Sequence, residues 1–174
     1  MESFEALGFC TPLNRILQAF VVFAKIKGIV TGSEERTAVE IVGIGTDIVE
    51  CLRIGRMIEQ HGEIFLNRVY TEREIRYCQE RKRAMEHFAG RWAAKEAILK
   101  CLGTGWSRGL CWTDMEIRND SAGKPQVLLC GAAKDMAQTL RITDILISIS
   151  HCRAYATAYA TAVRGRPRNG AREQ

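Results

Sequence analysis

The chain has 174 residues, 47% hydrophobic and 26% charged, and this length and balance predict one globular domain with a proper core. The net charge is +5, of which residues 164–174 supply +3 through four arginines and one glutamate. The remaining positive charge is too weak and dispersed to indicate a nucleic-acid groove. No apolar run approaches the roughly 20 residues that a membrane span needs.

The seven cysteines are odd in number and include no CxxC pair, and the three histidines are not spaced to complete a zinc site. Neither a disulfide framework nor structural zinc is therefore indicated. The cysteines are interpreted as reduced core residues, and the protein is expected in the cytoplasm.

Residues 1–40 are interpreted as an N-terminal extension. Residues 12–30 have near-helical spacing of apolar side chains, with arginine and lysine between them, which predicts one amphipathic helix. Residues 32–36 have the composition of a linker. The helix is expected to pack on the domain or on a neighbouring subunit, and a membrane-surface helix is the alternative.

The first predicted strand covers residues 40–50, which are rich in β-branched residues that alternate along the chain. Gly43, Gly45 and Asp47 share one face of this strand. Because glycine weakens a strand, two glycines beside an acid need a reason. One reason is close approach of a helix or ligand next to Asp47. The other is a β-bulge, with Asp47 capping the following helix.

Two helices are predicted after this strand. The apolar spacing over residues 52–65 is typical of an amphipathic helix. Thr71 and Glu74 form a capping box, which starts a second helix that extends through Cys78. The basic run at residues 80–83 is interpreted as exposed surface between helices.

A central helix is predicted over residues 88–100, which are rich in Ala, Leu, Lys and Glu and contain no proline. Gly103 is a natural position for a left-handed cap at its end. Glu96 and Lys100 are four residues apart, so they lie on one face of the helix. This pair could hold a metal ion and an anion side by side, or it could be an ordinary surface ion pair worth about 0.3 kcal/mol.

The last third of the chain is predicted to be mainly strands. In chain order we expect a strand at residues 111–118, a turn at 119–125, a strand at 126–129, a helix at 132–140, strands at 144–150 and 154–163, and a disordered basic tail from 164. The last strand has alanine at every second position from Ala154 to Ala162, which would let a helix pack unusually close. The elements together predict an α+β fold in which an antiparallel sheet wraps around the central helix.

Asp47, Glu96, Lys100 and His151 stand at four separate points of the chain, each at the end of an element or on the central helix. Two carboxylates in an open site suit Mg²⁺, which takes few protein oxygens and keeps waters or substrate phosphates. A nearby lysine and histidine suit phosphate oxygens. None of the four residues is diagnostic alone.

Taken together, these segments resemble the holo-acyl carrier protein synthase family of phosphopantetheinyl transferases. The matching runs occur in the family's order over about residues 41–163. They are Gly43–Glu50, Phe88–Ala97 with Lys100, and residues 103–105, 112–117, 123–125 and 148–151. The Trp-Ala-Ala-Lys-Glu-Ala run, with Gly-Thr-Asp-Ile upstream and Ser-Ile-Ser-His downstream, is highly specific.

The resemblance implies the phosphopantetheinyl transferase fold and transfer of 4′-phosphopantetheine from coenzyme A to a serine of an apo-acyl carrier protein. Adenosine 3′,5′-bisphosphate would be the leaving group. Asp47 and Glu96 would ligate Mg²⁺ together with the coenzyme pyrophosphate and water, and Lys100 would contact the phosphates. A carboxylate or a metal-held water must take the serine proton. Glu96 is the favoured base and Asp47 the alternative.

The resemblance also implies a homotrimer with active sites between subunits. Arg91, Gly103, Gly105 and His151 would bind coenzyme A together with Lys100, with Arg91 and His151 at its nucleotide end. Arg53 matches a position implicated in docking the carrier. Carriers are generally acidic, so Arg53 and the nearby Arg56 fit an electrostatic dock.

The resemblance divides the chain into an extension at residues 1–40, a transferase domain at 41–163 and a basic tail at 164–174. Cys152 stands where threonine is common in the family, and we expect a modest effect on the ligand pocket. The carrier could be a fatty-acid, polyketide or other carrier protein. Two alternative functions are a silent partner that binds the carrier or coenzyme A, and a Mg²⁺-dependent phosphohydrolase that uses the same carboxylates.

Overall fold

The computed structural model describes residues 39–103 and 109–165. The predicted N-terminal helix, its linker, Gly105 and the tail beyond residue 165 lie outside these ranges. The elements in chain order are β1 (Glu40–Glu50), α1 (Cys51–Val69), α2 (Glu72–Gln79), α3 (Ala84–Cys101), β2 (Met115–Asn119), β3 (Pro125–Leu129), α4 (Gly131–Thr139), β4 (Asp144–His151) and β5 (Tyr155–Arg164). Among the described residues, no helix is long and apolar enough to cross a membrane.

The strands form two antiparallel sheets. The larger sheet has the order β1-β5-β4 and the smaller one is the β2-β3 hairpin. In the larger sheet Asp47 lies opposite Ala158, and Ala158 lies opposite Ile149 on its other side. The α+β class with antiparallel sheets around a central helix is confirmed, although the strands divide between two sheets.

The central helix α3 packs closely on the inner face of the larger sheet. The alanines of β5 on this face, from Ala156 to Ala162, are at most 2% exposed. On β1, a Cβ atom added to Gly43 would overlap the carbonyl oxygen of Cys101, and one added to Gly45 would overlap that of Ala97. Small residues on two neighbouring strands therefore let the helix backbone approach the sheet.

This close approach explains the glycines beside Asp47. A register shift between Ile41 and Gly43 shows that β1 also contains an irregularity. Asp47 does not cap α1, because the N-cap is Glu50 and no side chain hydrogen-bonds there. Of the two sequence-based explanations, the approach of a helix is the correct one for Asp47.

The helices before α3 largely follow the sequence pattern. The capping box of α2 is confirmed, since the Glu74 amide donates to Thr71 Oγ1 and the Thr71 amide donates to a Glu74 carboxylate oxygen. Helix α1 continues to Val69, four residues beyond the predicted end, with a kink at Gly62, where φ is 52°. Gly103 has φ 72° just after α3, as expected for a left-handed cap.

The predicted strand at residues 111–118 is wrong in its first half. Residues Trp112–Asp114 form a 3₁₀ turn, and β2 begins only at Met115. The Asp114 carboxylate accepts a hydrogen bond from the Cys111 amide at 3.2 Å, and this local bond competes with strand pairing. The six cysteines within the described residues are free thiols, but the expected core placement is wrong for half of them: three are buried (Cys51, Cys78 and Cys101) and three are exposed (Cys111, Cys130 and Cys152).

Candidate active site

Asp47 and Lys100 meet at the inner face of β1. Lys100 Nζ donates to Asp47 Oδ1 at 2.7 Å and to the Thr46 carbonyl oxygen at 2.8 Å. The backbone of Asp47 is fixed from the next strand, because Thr157 Oγ1 donates to its carbonyl oxygen. The Lys100 side chain is half exposed, whereas that of Asp47 is 16% exposed. This ion pair therefore lies at the edge of the solvent, where a ligand can reach it.

Glu96 lies close enough to the pair to interact with both charges. Burial raises the pKa of the Glu96 carboxyl, and the negative charge of Asp47 raises it further. The positive charges of Lys100 and Arg53 act in the opposite direction. Asp47, Glu96 and Lys100 are therefore brought together, and we refer to them as the carboxylate–lysine cluster.

The cluster offers two carboxylates for a cation. Across residues 39–103 and 109–165, no group of three or more His, Cys, Asp or Glu side chains is placed to hold a metal ion. The remaining ligands would have to come from water and from a substrate, which is the usual coordination of Mg²⁺. Because Asp47 makes ionisation of Glu96 less favourable, a divalent cation would also relieve repulsion between them. The donor set therefore fits Mg²⁺.

Arg91 lies on another face of α3, away from this cluster. Its Nη2 donates to the Asn119 side-chain oxygen at 2.9 Å, and its guanidinium lies 3.9 Å from the centre of the Tyr77 ring. Arg91 is only 4% exposed, yet its Nε has no hydrogen-bond partner among the described residues. The unpartnered Nε is itself buried, so it is closed to solvent in this structure.

His151 ends β4 and lies against the first turn of α3. Its Nδ1 is 3.2 Å from a Glu86 carboxylate oxygen, and its ring stands edge-on to the His87 ring with centroids 4.9 Å apart. We refer to Glu86, His87 and His151 as the histidine cluster. The cluster lies near the start of α3, whereas Glu96 and Lys100 lie in its second half. The structure does not join the two clusters within one chain.

The other predicted residues have simpler surroundings. Gly103 lies in the loop after α3, and Gly105 is outside the described residues. Arg53 and Arg56 are exposed on α1, and Arg53 is near enough to Glu96 to affect its pKa. One face of α1 therefore borders the carboxylate–lysine cluster.

Sequence reasoning missed two groups of residues. Sequence analysis does not identify Glu86 and His87, although they lie five and four residues before Arg91, next to the matching run that begins at Phe88. Sequence analysis treats Lys95 only as part of the matching run, whereas it is completely buried and donates to Glu74, Val69 and Trp112. The signal for this buried contact was a lysine within a run of alanines, with a capping-box glutamate upstream.

Comparison with known proteins gives consistent matches. Residues 43–160 match the 4′-phosphopantetheinyl transferase superfamily. Holo-[acyl-carrier-protein] synthase of Protochlamydia amoebophila is 50% identical over 119 residues, which is 68% of this chain and 95% of the relative. The enzyme of that name from Rhodopirellula baltica is 47% identical, with 68% and 94% covered.

A solved structure supports the same assignment. Holo-(acyl-carrier-protein) synthase from Bacillus anthracis in complex with CoA (3′,5′-ADP) has a TM-score of 0.60 and 35% identity, and the match covers 74% of this chain and 100% of that one. The family match over residues 43–160 includes most of β1, the whole of α3 and more than half of β5, the elements that carry or support the carboxylate–lysine cluster. The chain is therefore a transferase and belongs to the 4′-phosphopantetheinyl transferase superfamily.

Proposed function

We propose that the chain is a Mg²⁺-dependent holo-acyl carrier protein synthase. It transfers 4′-phosphopantetheine from coenzyme A to a serine of an apo-acyl carrier protein and releases adenosine 3′,5′-bisphosphate. The observation that carries this proposal is the Asp47–Lys100 ion pair with Glu96 beside it, inside the region that matches the family. Two acids and one ammonium group, open to solvent, suit a metal-assisted reaction of a diphosphate.

The reaction forms one bond to phosphorus and breaks another. The serine oxygen attacks the phosphorus that bears pantetheine, and the bond from this phosphorus to the bridging oxygen breaks. The electron pair leaves with the nucleotide, and Lys100 Nζ donates to the oxygens on which negative charge develops. Asp47 and Glu96 would hold Mg²⁺, which when bound supplies further positive charge to the diphosphate.

The serine proton needs an acceptor within the site. Burial raises the pKa of Glu96, so this carboxylate is a stronger base than an exposed one. The Asp47 carboxylate already accepts a hydrogen bond from Lys100. We therefore assign the proton to Glu96, directly or through one water, with Asp47 as the alternative.

The nucleotide end of coenzyme A is assigned to Arg91 and His151. The partly exposed His151 ring is a suitable donor to phosphate oxygens, and Arg91 is assigned here by its place in the family motif, although its side chain is buried. Gly103 and Gly105 would let the loop after α3 approach the phosphates. Cys152 next to His151 is exposed, so its replacement of the family's common threonine is expected to have a modest effect.

We also assign the docking of the acidic carrier to Arg53 and Arg56. Both are exposed on α1, and Arg53 borders the carboxylate–lysine cluster. Replacing both by glutamate should raise the KM for the carrier by about tenfold or more, because complementary charge steers association. The KM for coenzyme A should not change. Arg73→Glu with Arg76→Glu on α2 is a control with the same charge change and spacing, and an equal effect there would contradict the assignment.

A homotrimer with active sites between subunits is part of the proposal. The outer face of the larger sheet is apolar and exposed, with Ile44 at 60%, Ile48 at 68%, Tyr155 at 47% and Tyr159 at 57%. Contiguous exposed apolar surface of this kind typically marks an interaction site. The separation of the two clusters within one chain supports sites that combine residues of two subunits.

The transfer is tested by intact mass measurement of the carrier. Incubation with the full chain, coenzyme A and Mg²⁺ should raise the carrier mass by one phosphopantetheine. Glu96→Gln should lower the rate at least about 100-fold with an unchanged circular dichroism spectrum, and Glu80→Gln, an exposed acid in the α2–α3 connection, is the matched control.

Three results would contradict the proposal in different ways. Unchanged mass with fatty-acid and polyketide carriers would remove transfer itself, and binding without turnover would indicate a silent partner. Phosphate release without a carrier would indicate a phosphohydrolase. Full activity of Glu96→Gln would remove this residue from the reaction.

A further inference from the structure

The start of α3 brings an acid and two imidazoles together, apart from the carboxylate–lysine cluster. Glu86 lies in the first turn of the helix and is 8% exposed. His151 approaches it from the end of β4, and His87 is the next residue of the helix. His151 is assigned to the nucleotide end of coenzyme A, but the buried Glu86 beside it has no role in the reaction as described so far. The contact between these two residues is the basis of the inference.

The contact with Glu86 favours one proton position on the His151 ring. The Glu86 Oε2 to His151 Nδ1 distance is 3.2 Å. An ionised carboxylate only accepts hydrogen bonds, so Nδ1 must be the donor. The other ring nitrogen, Nε2, is then left for a ligand. The same arrangement of a carboxylate behind a histidine orients the ring in many metal and catalytic sites.

Packing restrains the ring on two further sides. The His87 ring stands edge-on to it, with an interplanar angle of 69°. Gly90 faces it from the next turn of α3, where an added Cβ would lie 3.8 Å from His151 Cδ2 and 3.0 Å from the Ile149 side chain. A larger residue at Gly90 would therefore push on the end of β4. The ring has little freedom to turn away from Glu86.

The second oxygen of Glu86 is weakly engaged. Arg83 Nη1 lies 3.6 Å from Oε1, but the Arg83 side chain is 71% exposed. Exposed pairs of this kind contribute little. The contact with His151 is therefore the main interaction that a change at Glu86 would remove.

We propose that Glu86 is a positioning residue, which orients His151 so that Nε2 faces the nucleotide end of coenzyme A. The inference rests on the proposed function, because it assumes that His151 contacts the coenzyme. Glu86 itself does not touch the substrate. Since His151 binds the substrate away from the reacting phosphorus, the loss of Glu86 should weaken coenzyme binding and leave the chemical step intact.

The kinetic test compares Glu86→Gln with Glu80→Gln, which removes the same charge from an exposed position six residues earlier. The KM for coenzyme A should rise about five- to tenfold in Glu86→Gln, because a neutral amide oxygen is a weaker acceptor for the His151 Nδ1–H than a carboxylate and holds the ring less firmly. The kcat should stay within about twofold, and Glu80→Gln should leave both constants unchanged. A fall in kcat with an unchanged KM would overturn the inference.

A second substrate separates positioning from a general disturbance of the fold. The 3′-phosphate is the most anionic group at the nucleotide end. The KM for 3′-dephospho-coenzyme A should therefore differ less than about twofold between Glu86→Gln and the unsubstituted chain. An equal rise in KM for both coenzymes would overturn the assignment. If the unsubstituted chain transfers nothing at all, it is the proposed function that fails.

A spectroscopic test needs no variant. The full chain has three histidines, and the ¹⁵N shifts of each ring report which nitrogen carries the proton. The neutral His151 ring should be protonated at Nδ1. Protonation at Nε2 would overturn the inference whatever the kinetics show, and this measurement also covers the case in which Glu86→Gln does not fold.

Discussion

Two lysines on α3 are placed in opposite environments. Lys95 is completely buried, and its Nζ donates to Glu74 at 2.8 Å, to the Val69 carbonyl at 2.8 Å and to the Trp112 carbonyl at 2.9 Å. All three donors of its ammonium group are therefore satisfied. Lys100, five residues later, is half exposed. The first lysine joins elements of the fold, and the second is available to a ligand.

Replacing Lys95 by methionine should destabilise the protein by about 3–5 kcal/mol, because it leaves the Glu74 charge buried without its partner. Burial lowers the pKa of Lys95, while the adjacent Glu74 opposes this shift, as expected for a pair that depends on its own contacts. Lys100→Met is the matched control and should cost less than about 1 kcal/mol. Urea denaturation followed by circular dichroism measures the free energy of unfolding of both variants.

The double variant Glu74→Leu with Lys95→Met distinguishes a paired network from a lysine that merely fills space. It should recover part of the lost stability, since an apolar pair avoids the cost of one unpaired charge. Full recovery is not expected, because Glu74 also accepts from the Ile117 and Thr71 amides. If the double variant loses as much stability as Glu74→Leu and Lys95→Met lose together, each measured against the unsubstituted protein, Lys95 and Glu74 are not coupled.

At the residue scale, the sequence predicted only some of the contacts between functional side chains. The convergence of Asp47, Glu96 and Lys100 followed from the family motifs and from the four-residue spacing on one helix. The surroundings of His151 did not, because Glu86 and His151 are 65 residues apart and no local pattern connects them. Long-range polar contacts of this kind depend on how α3 lies across the sheet.

The contact between α3 and the larger sheet decides where the carboxylate–lysine cluster forms. Gly43 and Gly45 leave room for the carbonyl oxygens of Cys101 and Ala97, and this proximity brings Lys100 to the backbone of Thr46. A methyl group added to either glycine would push the helix away from the strand and so move Glu96 relative to Asp47. The glycines are therefore part of the site's construction, although they carry no functional group.

Gly45→Ala should destabilise the protein by about 2–4 kcal/mol or prevent folding, because the new methyl group meets the backbone of α3, which cannot yield like a side chain. Gly55→Ala is the matched control. There the added methyl group would lie 3.2 Å from the sulfur of Met85, a flexible side chain, and the change should stay within about 1 kcal/mol.

Thermal unfolding followed by circular dichroism compares the two alanine variants. A Gly45→Ala protein as stable as the Gly55→Ala protein would show that the helix can move away from β1. In that case the activity of Gly45→Ala should still fall, because Asp47 and Lys100 would separate.

At the element scale, the strongest sequence signals gave the correct structure. The alternation of β1 and β5 and the capping box of α2 are local patterns, and each is present as predicted. The first half of the predicted strand at residues 111–118 failed because the side chain of Asp114 closes a turn on Cys111. Helix α1 ends four residues beyond its predicted end, and the kink at Gly62 lies within the predicted range. The division of strands between two sheets is a matter of long-range pairing, which local periodicity does not encode.

At the scale of the whole molecule, the two clusters lie apart on the larger sheet. Asp47 and the His151 strand are separated by β5, so two strand spacings, roughly 10 Å, lie between them. His151 is also two residues beyond Ile149, the residue in line with Asp47, which adds about 7 Å along the strand. A site that uses both clusters is more simply completed by two subunits, and the exposed apolar face of the same sheet offers a surface for their association.

The proposed sharing of each site by two subunits predicts recovery of activity when two defective chains are mixed. Glu96→Gln lacks the acid of one cluster and His151→Ala the ring of the other, so co-assembled chains would contain intact sites only if a site draws its two clusters from different subunits. Random mixing should restore about a quarter of the sites, measured as the initial transfer rate at low coenzyme A concentration. A mixture of Glu96→Gln and Lys100→Met should not recover, because both residues belong to one cluster. If sedimentation shows mixed trimers and the first pair stays inactive, each chain must hold a complete site of its own.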